Sequence, residues 1–344
     1  MGEFLQALTN EMVLRHDYIQ PPVTLYIGGG TPSLCGAKEL GEVIESAKKL
    51  WNCKLDEVTV ELNPEDVTPD YCRALADEGV NRLSIGIQSF VDEHLRFMHR
   101  RHNAKQGVKA VEAARGAGFD NISIDLIFGF PGLLEAQWRG QIRQALALAP
   151  EHLSAYALGI EAGTPLYHAV QQGRIKPVDD DVAAAQYALL QELLPASGLW
   201  QYEVSNFARK GRRSRHNSAY WQGVPYLGLG PSAHSFNGAA RHANVRHLGR
   251  YIKGIQEERP VVKEERIGLR KRYNELVMTR LRTSEGLDRA DVEKMFSDPK
   301  IKRHFEHSAA LLLQQGLLVA QEGALKILPQ KWFVSDIIVR ELVI

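Results

Sequence analysis

The sequence predicts an α/β fold: a parallel sheet wound from strand–helix–strand units, followed by a smaller α+β unit at the C-terminal end. Three observations carry this. Short β-rich runs alternate with amphipathic helical stretches through the first two-thirds of the chain, an order that implies right-handed crossovers and parallel strands. Polar or glycine positions recur at the strand ends, at Gly29, Glu61, Gln88, Asp125 and Gly159, with gaps close to the ~30-residue length of one such unit. From about Pro260 the texture changes to three helices and a short hairpin.

The elements follow in order. Val23 to Ile27 reads as a buried strand stopped by Gly28-Gly29-Gly30. The next helix places Leu40, Val43, Ile44, Ala47, Leu50 and Trp51 on one face, a 3.6-residue period. Glu57 to Leu62 is the second strand, running into Asn63-Pro64, and a helix follows from about Pro69 to Glu78. The third strand is Arg82 to Ile87, the fourth Asn121 to Phe128, and the fifth His152 to Ile160. A parallel barrel and a doubly wound open sheet both gather strand ends on one side, so periodicity leaves that choice open. Near the end, Arg272 to Arg282 is a basic amphipathic helix, and Asp288 can cap a helix from Arg289 to Phe296. A longer helix, Ile301 to Gln315, stops at Gly316. Glu322-Gly323 turns a hairpin between Leu318–Gln321 and Ala324–Leu328. The set is winged-helix-like.

The chain has 344 residues, 44% of them hydrophobic, enough to fill a core in one large unit and a smaller one. A formal net charge of +1 gives no global field to attract nucleic acid or an anionic membrane. No apolar run approaches the ~18 residues of a membrane span, and the opening MGEFLQALTNEM does not read as a secretory signal. The expected compartment is the cytoplasm, or an organellar matrix if a leader has been removed. Cys35, Cys53 and Cys72 form no C-x-x-C pair; they read as reduced, buried thiols rather than a disulfide framework.

Read as isolated motifs, the chemistry-bearing residues have ordinary explanations. Gly28-Gly29-Gly30-Thr31-Pro32-Ser33 is a glycine-rich strand end where backbone amides can approach a ligand. It is neither a dinucleotide fingerprint nor a P-loop. Glu61 and Asp125 can cap neighbouring helices. Arg100 lies in a basic run, His99 to His102. His216 can be a hydrogen-bonded histidine beside packed aromatics. His234, His242 and His247 lack zinc-site spacing. The basic C-terminal residues Arg270, Lys271, Arg272, Arg280 and Arg282 read as a solvated face or a lid on the barrel, with nucleic-acid binding the weaker alternative.

The strings YIGGGTPS, VELNPED, NRLSIGIQSF, HRRH and NISIDLIFGFP, in this order and spacing, resemble the radical S-adenosylmethionine (SAM) superfamily. They are most similar to the branch holding oxygen-independent coproporphyrinogen III oxidase and the HemW-type haem chaperones. The later segments YEVSNFA, RHNSAYW and YLGLGPSAHSF resemble the HemW type. The resemblance implies a partial (β/α) barrel over 1–200, a connecting region over 201–259 and the winged-helix-like unit over 260–344. It implies SAM as cofactor, with Gly29, Gly30 and Thr31 at its methionine end. Glu61, Gln88, Arg100 and Asp125 would contact it, and Gly159 and His234 would line the adenosine end. Carboxylates suit the ammonium and ribose of SAM, and an arginine suits its carboxylate.

The resemblance also makes His216-Asn217-Ser218-Ala219-Tyr220-Trp221 the family's haem-associated HNxxYW motif. His216 would be an axial iron ligand, and Tyr220 and Trp221 would cover the porphyrin. The family holds a [4Fe–4S] cluster through C-x-x-x-C-x-x-C after its first barrel strand, and no residue of this sequence fits that role. Three explanations stand: a chain continuing upstream of Met1, a natural cluster-free variant, or ligands from a partner chain. A missing first strand would leave the next one a bare edge and reduce solubility. The expected function is haem binding and transfer to an acceptor protein, with radical decarboxylation of coproporphyrinogen III as the alternative.

Overall fold

The computed structural model describes residues 2–344. Helix α1 (Gly2–Leu14) precedes β1 (Thr24–Ile27), β2 (Glu57–Leu62), β3 (Arg82–Gln88), β4 (Ile122–Phe128) and β5 (His152–Ala157). The chain returns between these strands through α2 (Ala37–Trp51), α3 (Pro69–Asp77), α4 (Asp92–Phe97), α5 (Ala104–Gly116) and α6 (Glu135–Ala147). The five strands pair in parallel and in chain order. Each new strand lies beside the last. That is the winding of a barrel, not of a doubly wound sheet, whose order reverses at a switch point.

The five expected strands are parallel, and two further strands that the sequence reading did not include join the sheet antiparallel. After α7 (Pro165–Gln171) and α8 (Asp180–Leu193), β6 (Trp200–Gln201) and β7 (Asn206–Ala208) form an antiparallel pair, and β7 runs antiparallel to β5. The seven-stranded order is β1-β2-β3-β4-β5-β7-β6, with β1 and β6 at the edges. A four-residue connection permits only an antiparallel return. The fifth strand also ends at Ala157, short of Ile160. Leu158 still donates to the Phe128 carbonyl, but β4 has stopped there, and the residues beyond have no neighbour to pair with.

Side chains alternate along these strands, so the sheet has two unlike faces. The outer face carries Val58, Val60, Leu83, Ile85, Ile124 and Leu126, all 1% exposed or less, in one core with Leu40 and Ile44 of α2 and Ile142 of α6. The inner face carries Thr24, Tyr26, Glu57, Thr59, Glu61, Arg82, Ser84, Ser123, Asp125, His152 and Ser154.

The rest of the chain packs against this partial barrel. Helix α9 (Arg215–Trp221) lies against β1. Strands β8 (His234–Phe236) and β9 (Ala240–Asn244) precede α10 (Leu248–Gln256) and β10 (Val262–Arg266), and the three strands form an antiparallel sheet. That sheet spans the expected boundary at 259/260. Buried Glu11 of α1 ties in the region, accepting bonds from Arg15, the Gly230 amide, Asn244 and Tyr251.

Beyond it, α11 (Leu269–Arg280), β11 (Leu287–Asp288), α12 (Arg289–Met295), α13 (Pro299–Gln314), β12 (Val319–Gln321) and β13 (Ala324–Lys326) precede α14 (Ser335–Arg340). The strand order is β11-β13-β12, and Asp288 caps α12 through the Ala290 amide. The apolar core runs unbroken from the barrel into these elements; Phe333 packs on Phe128 and Tyr187. Four of the five basic residues singled out here are engaged within the chain, while Arg270 is exposed. Lys271 pairs with Glu265 and Arg282 with Asp336, while Arg272 and Arg280 donate to the Gly238 and Gln222 carbonyls. Among the described residues no helix is long and apolar enough to cross a membrane.

Candidate functional site

The glycine loop at the end of β1 is built around Glu61 of β2. A Cβ on Gly28 would fall 2.5 Å from the Glu61 carboxyl and 2.7 Å from the Tyr26 ring, so only glycine lets both side chains approach. The Tyr26 hydroxyl donates to Glu61 Oε1 at 2.6 Å, and the Gly29 amide donates to Oε2 at 3.0 Å. Gly29 takes a left-handed φ of 74°. Gly29 and Gly30 are exposed, with no atom within 4 Å of where a Cβ would project. Thr31 then leads into a 3-10 turn at Pro32–Leu34.

Asp125 stands two strands further along the same face. Ser84 donates to it at 3.2 Å, and Ser154 bonds it from β5. Burial pushes its pKa up to about 6, against the pull of Ser154, Arg82 and Ser84 and with the help of Glu61. The Tyr26 phenol rises far above its ordinary value through burial and the Glu61 carboxylate, with Asp125 adding to it. The Tyr156 phenol is raised as well, by desolvation on the inner face and by Asp125, although the residue as a whole is 44% exposed. Tyr26, Glu61, Asp125 and Tyr156 therefore share one electrostatic neighbourhood.

Gln88 ends β3 in the left-handed region at φ 64°, uncommon without glycine. Its amide lies over Gly86, whose carbonyl accepts from Arg100 at 3.2 Å; Arg100 also donates to Asn63 at 2.7 Å. Gly159 lies in the exposed loop after β5. The structure thus gathers Gly29, Glu61, Gln88, Arg100, Asp125 and Gly159 at the carboxyl end of the parallel strands. His234 opens β8, exposed, and its ring makes no hydrogen bond or ring contact among the described residues.

Helix α9 is set by Glu57 at the other end of β2. The Glu57 carboxylate accepts from the Arg215 and His216 amides, both at 2.9 Å, satisfying free donors of the helix's first turn. Ser214 completes the cap through the Asn217 amide. His216 is thereby held against β1. Its Nδ1 meets Thr24 Oγ1 at 3.1 Å, its Nε2 meets the Tyr220 hydroxyl at 3.3 Å, and its ring stacks on Tyr26 at 4.9 Å. Burial lowers its pKa to about 4, so the imidazole is neutral at physiological pH. Tyr220 contacts Tyr226 edge-on at 4.6 Å, which in turn packs beside Phe236. Trp221 is half-buried and makes no hydrogen bond or ring contact among the described residues.

Sequence reading missed Tyr26, Glu57, Arg82 and His152. All lie on the inner face, and the signal was present as polar residues at every second position of otherwise apolar strands, as in Arg82-x-Ser84-x-Gly86-x-Gln88.

The chemistry of these donors fits SAM. Glu61 and Asp125 offer acceptors to an ammonium and ribose hydroxyls, Arg100 offers a guanidinium to a carboxylate, and the Gly29–Gly30 surface is open to close approach. An iron–sulfur cluster does not fit the described residues. Cys35 and Cys72 are buried, and Cys53 is partly so. Burial raises all three thiols, Cys72 to about 11, the opposite of a ligand thiolate. Among the described residues no group of three or more His, Cys, Asp or Glu could hold a metal ion.

Comparison with known proteins agrees with the geometry. Residues 11–145 match the radical SAM superfamily. The chain is 37% identical over 262 residues to the haem chaperone HemW of Bacillus subtilis, covering 75% of this chain and 69% of that protein. It is 32% identical over 343 residues to the haem chaperone HemW of Mycobacterium tuberculosis, covering 98% and 86%. The solved structure of the Escherichia coli radical SAM coproporphyrinogen III oxidase HemN superposes with a TM-score of 0.80 at 22% identity, over 99% of this chain and 82% of that one. At that identity the likeness speaks for the fold, not the reaction. With the strand-end polar group and the α9 motif in place, this chain belongs to the HemW family of the radical SAM superfamily.

Proposed function

We propose that this protein is a haem chaperone that takes up haem beside β1, with His216 as iron ligand, and passes it to an acceptor protein in the cytoplasm. The observation that carries the reading is the setting of His216. Its imidazole is neutral, half-buried and oriented through Nδ1 by Thr24. With Nδ1–H donating to Thr24, Nε2 keeps the lone pair an iron needs. Its present contact, the Tyr220 hydroxyl at 3.3 Å, is long for a hydrogen bond and readily displaced. Tyr220, 44% exposed, and half-buried Trp221 supply flat apolar surface alongside.

SAM fits the neighbouring strand ends, where Glu61, Asp125, Arg100 and the glycine loop would hold it. When bound, with a cluster present, it would supply a one-electron cleavage chemistry. The role of this chain's own residues is to bind and orient it.

Haem titration followed by the Soret band tests the reading. Wild type should give a saturable spectrum of an imidazole-ligated iron. His216→Ala should lose that signature and weaken binding by about 10- to 100-fold. Equal affinity and identical spectra in the two proteins would remove His216 from the site.

A further inference from the structure

Arg82 opens β3 and, in the sheet register, stands beside Thr59 and then Tyr26 on the inner face. It is 1% exposed, among the largest fully buried side chains of the protein. Its Nε has no hydrogen-bond partner, and among the described residues no carboxylate lies within 4.0 Å of its guanidinium. Arginine cannot escape burial by giving up its proton, and a buried cation is normally matched by a counter-ion.

The acidic groups nearby do not pair with it. Glu57 caps α9, Glu61 holds Tyr26 and Gly29, and Asp125 is held by Ser84 and Ser154. Glu203 accepts from the Ser205 amide through Oε2, its Oε1 is buried without a partner, and burial raises its pKa to about 7. The other titratable neighbours, His152 and His216, are pushed toward neutrality by burial, and the Arg82 charge reinforces this. The charge of Arg82 also bears on Tyr26, Asp125 and Tyr202. It thus bears on groups of β1, β4, β5, α9 and the β6–β7 turn, from the first position of β3 on the inner face.

We propose that Arg82 is a carboxylate-binding residue whose counter-ion arrives with the ligand. A guanidinium presents a planar fork that matches a carboxylate with two parallel hydrogen bonds. The same chemistry comes from two sources here: a propionate of haem, whose iron His216 would hold, or the amino-acid carboxylate of SAM. Only the first source rests on the haem reading.

The experiment compares wild type, Arg82→Gln and Arg82→Lys for binding of haem, of haem dimethyl ester, whose propionates carry no charge, and of SAM by equilibrium dialysis. If a propionate is the counter-ion, Arg82→Gln weakens haem by about 10- to 100-fold, Arg82→Lys recovers part of it, and the ester binds both proteins alike. If the loss falls on SAM alone, the carboxylate is that of the amino acid. Should wild type bind no haem, the chaperone reading fails while the SAM arm still judges Arg82. Unchanged binding of both haem and SAM, or equal losses for haem and its ester, overturns the proposal. Arg82→Met adds a control without ligand. A residue reserved for a ligand leaves the melting temperature unchanged or raised on replacement by an apolar side chain, and a sharp fall would make Arg82 structural.

Discussion

The two faces of one sheet are built on opposite rules. On the outer face, Ile124 and Leu126 of β4 meet Ile85 of β3 and the covering helices with no exposure at all. One residue along the same strand, Ser123 bonds His152 at 2.7 Å, which bonds the Tyr202 hydroxyl at 2.8 Å, and Asp125 takes bonds from Ser84 and Ser154. The outer face gains from burial alone. The inner face holds charges that burial disfavours, above all Arg82 without a counter-ion and Asp125 with a raised pKa. Such groups cost stability and persist where a ligand uses them.

The largest expected effect is on the outer face. Ile124→Ala removes a fully buried side chain from the middle of the core, and the loss should be about 2–5 kcal/mol in a denaturant titration. Asp125→Asn, the next residue and nearly isosteric, should cost nothing at pH 8 and instead stabilise. A comparable loss in both variants would show that the two faces are not energetically distinct.

That contrast also explains what was legible in the sequence. Glu57–Leu62 and the fourth strand were readable because their outward residues, Val58, Val60, Ile124 and Leu126, leave no choice of element. The strand-end group was readable because Glu61, Gln88 and Asp125 are polar residues where an apolar run stops. The antiparallel β6–β7 return was not, since two- and three-residue strands carry too little period to register. Arg82 was hidden for a different reason. An arginine at the first position of a strand reads as a solvent-facing start, and only the packing of the rest of the chain over the inner face puts that position inside. Nor did sequence place His216 against Tyr26, a contact between residues 190 apart in the chain that depends on Glu57 seating α9.

Titration separates two inner-face groups whose signs oppose. Asp125 has a pKa of about 6 in the folded protein against an ordinary 3.8. The fold then binds the proton more tightly than the unfolded chain does, so this contribution to stability is full below about pH 4, declines up to about pH 6 and stays lost above. Asp125→Asn should therefore exceed wild type by up to about 3 kcal/mol at pH 8, and the difference should vanish near pH 4. His216 runs the other way. Its folded pKa of about 4 lies below the ordinary 6.5, so its contribution is present above pH 6.5 and lost as pH falls toward 4. His216→Gln should flatten that limb by up to about 3 kcal/mol. Denaturant midpoints at half-unit pH steps check both, and a difference curve of the wrong sign for either residue would break the electrostatic half of the comparison.

The smallest effect tests how the two faces meet at the glycine loop. Gly28 and Gly30 are two residues apart in the same run, yet their surroundings differ. A methyl group on Gly28 would collide with the Glu61 carboxyl and the Tyr26 ring, whereas one on Gly30 would meet nothing. Gly28→Ala should cost about 1–2 kcal/mol by forcing both side chains aside, and Gly30→Ala should be near neutral. The sharper readout is Tyr26. Once parted from Glu61, its phenol loses the carboxylate that helps hold the proton, so the variant should show one tyrosine ionising at lower pH by difference absorbance. The same substitution made on a Tyr26→Phe background should remove that signal. If Gly28→Ala and Gly30→Ala behave alike in both stability and tyrosine titration, the Tyr26–Glu61 contact does not organise the loop, and the link between the glycine run and the inner face would have to be sought elsewhere.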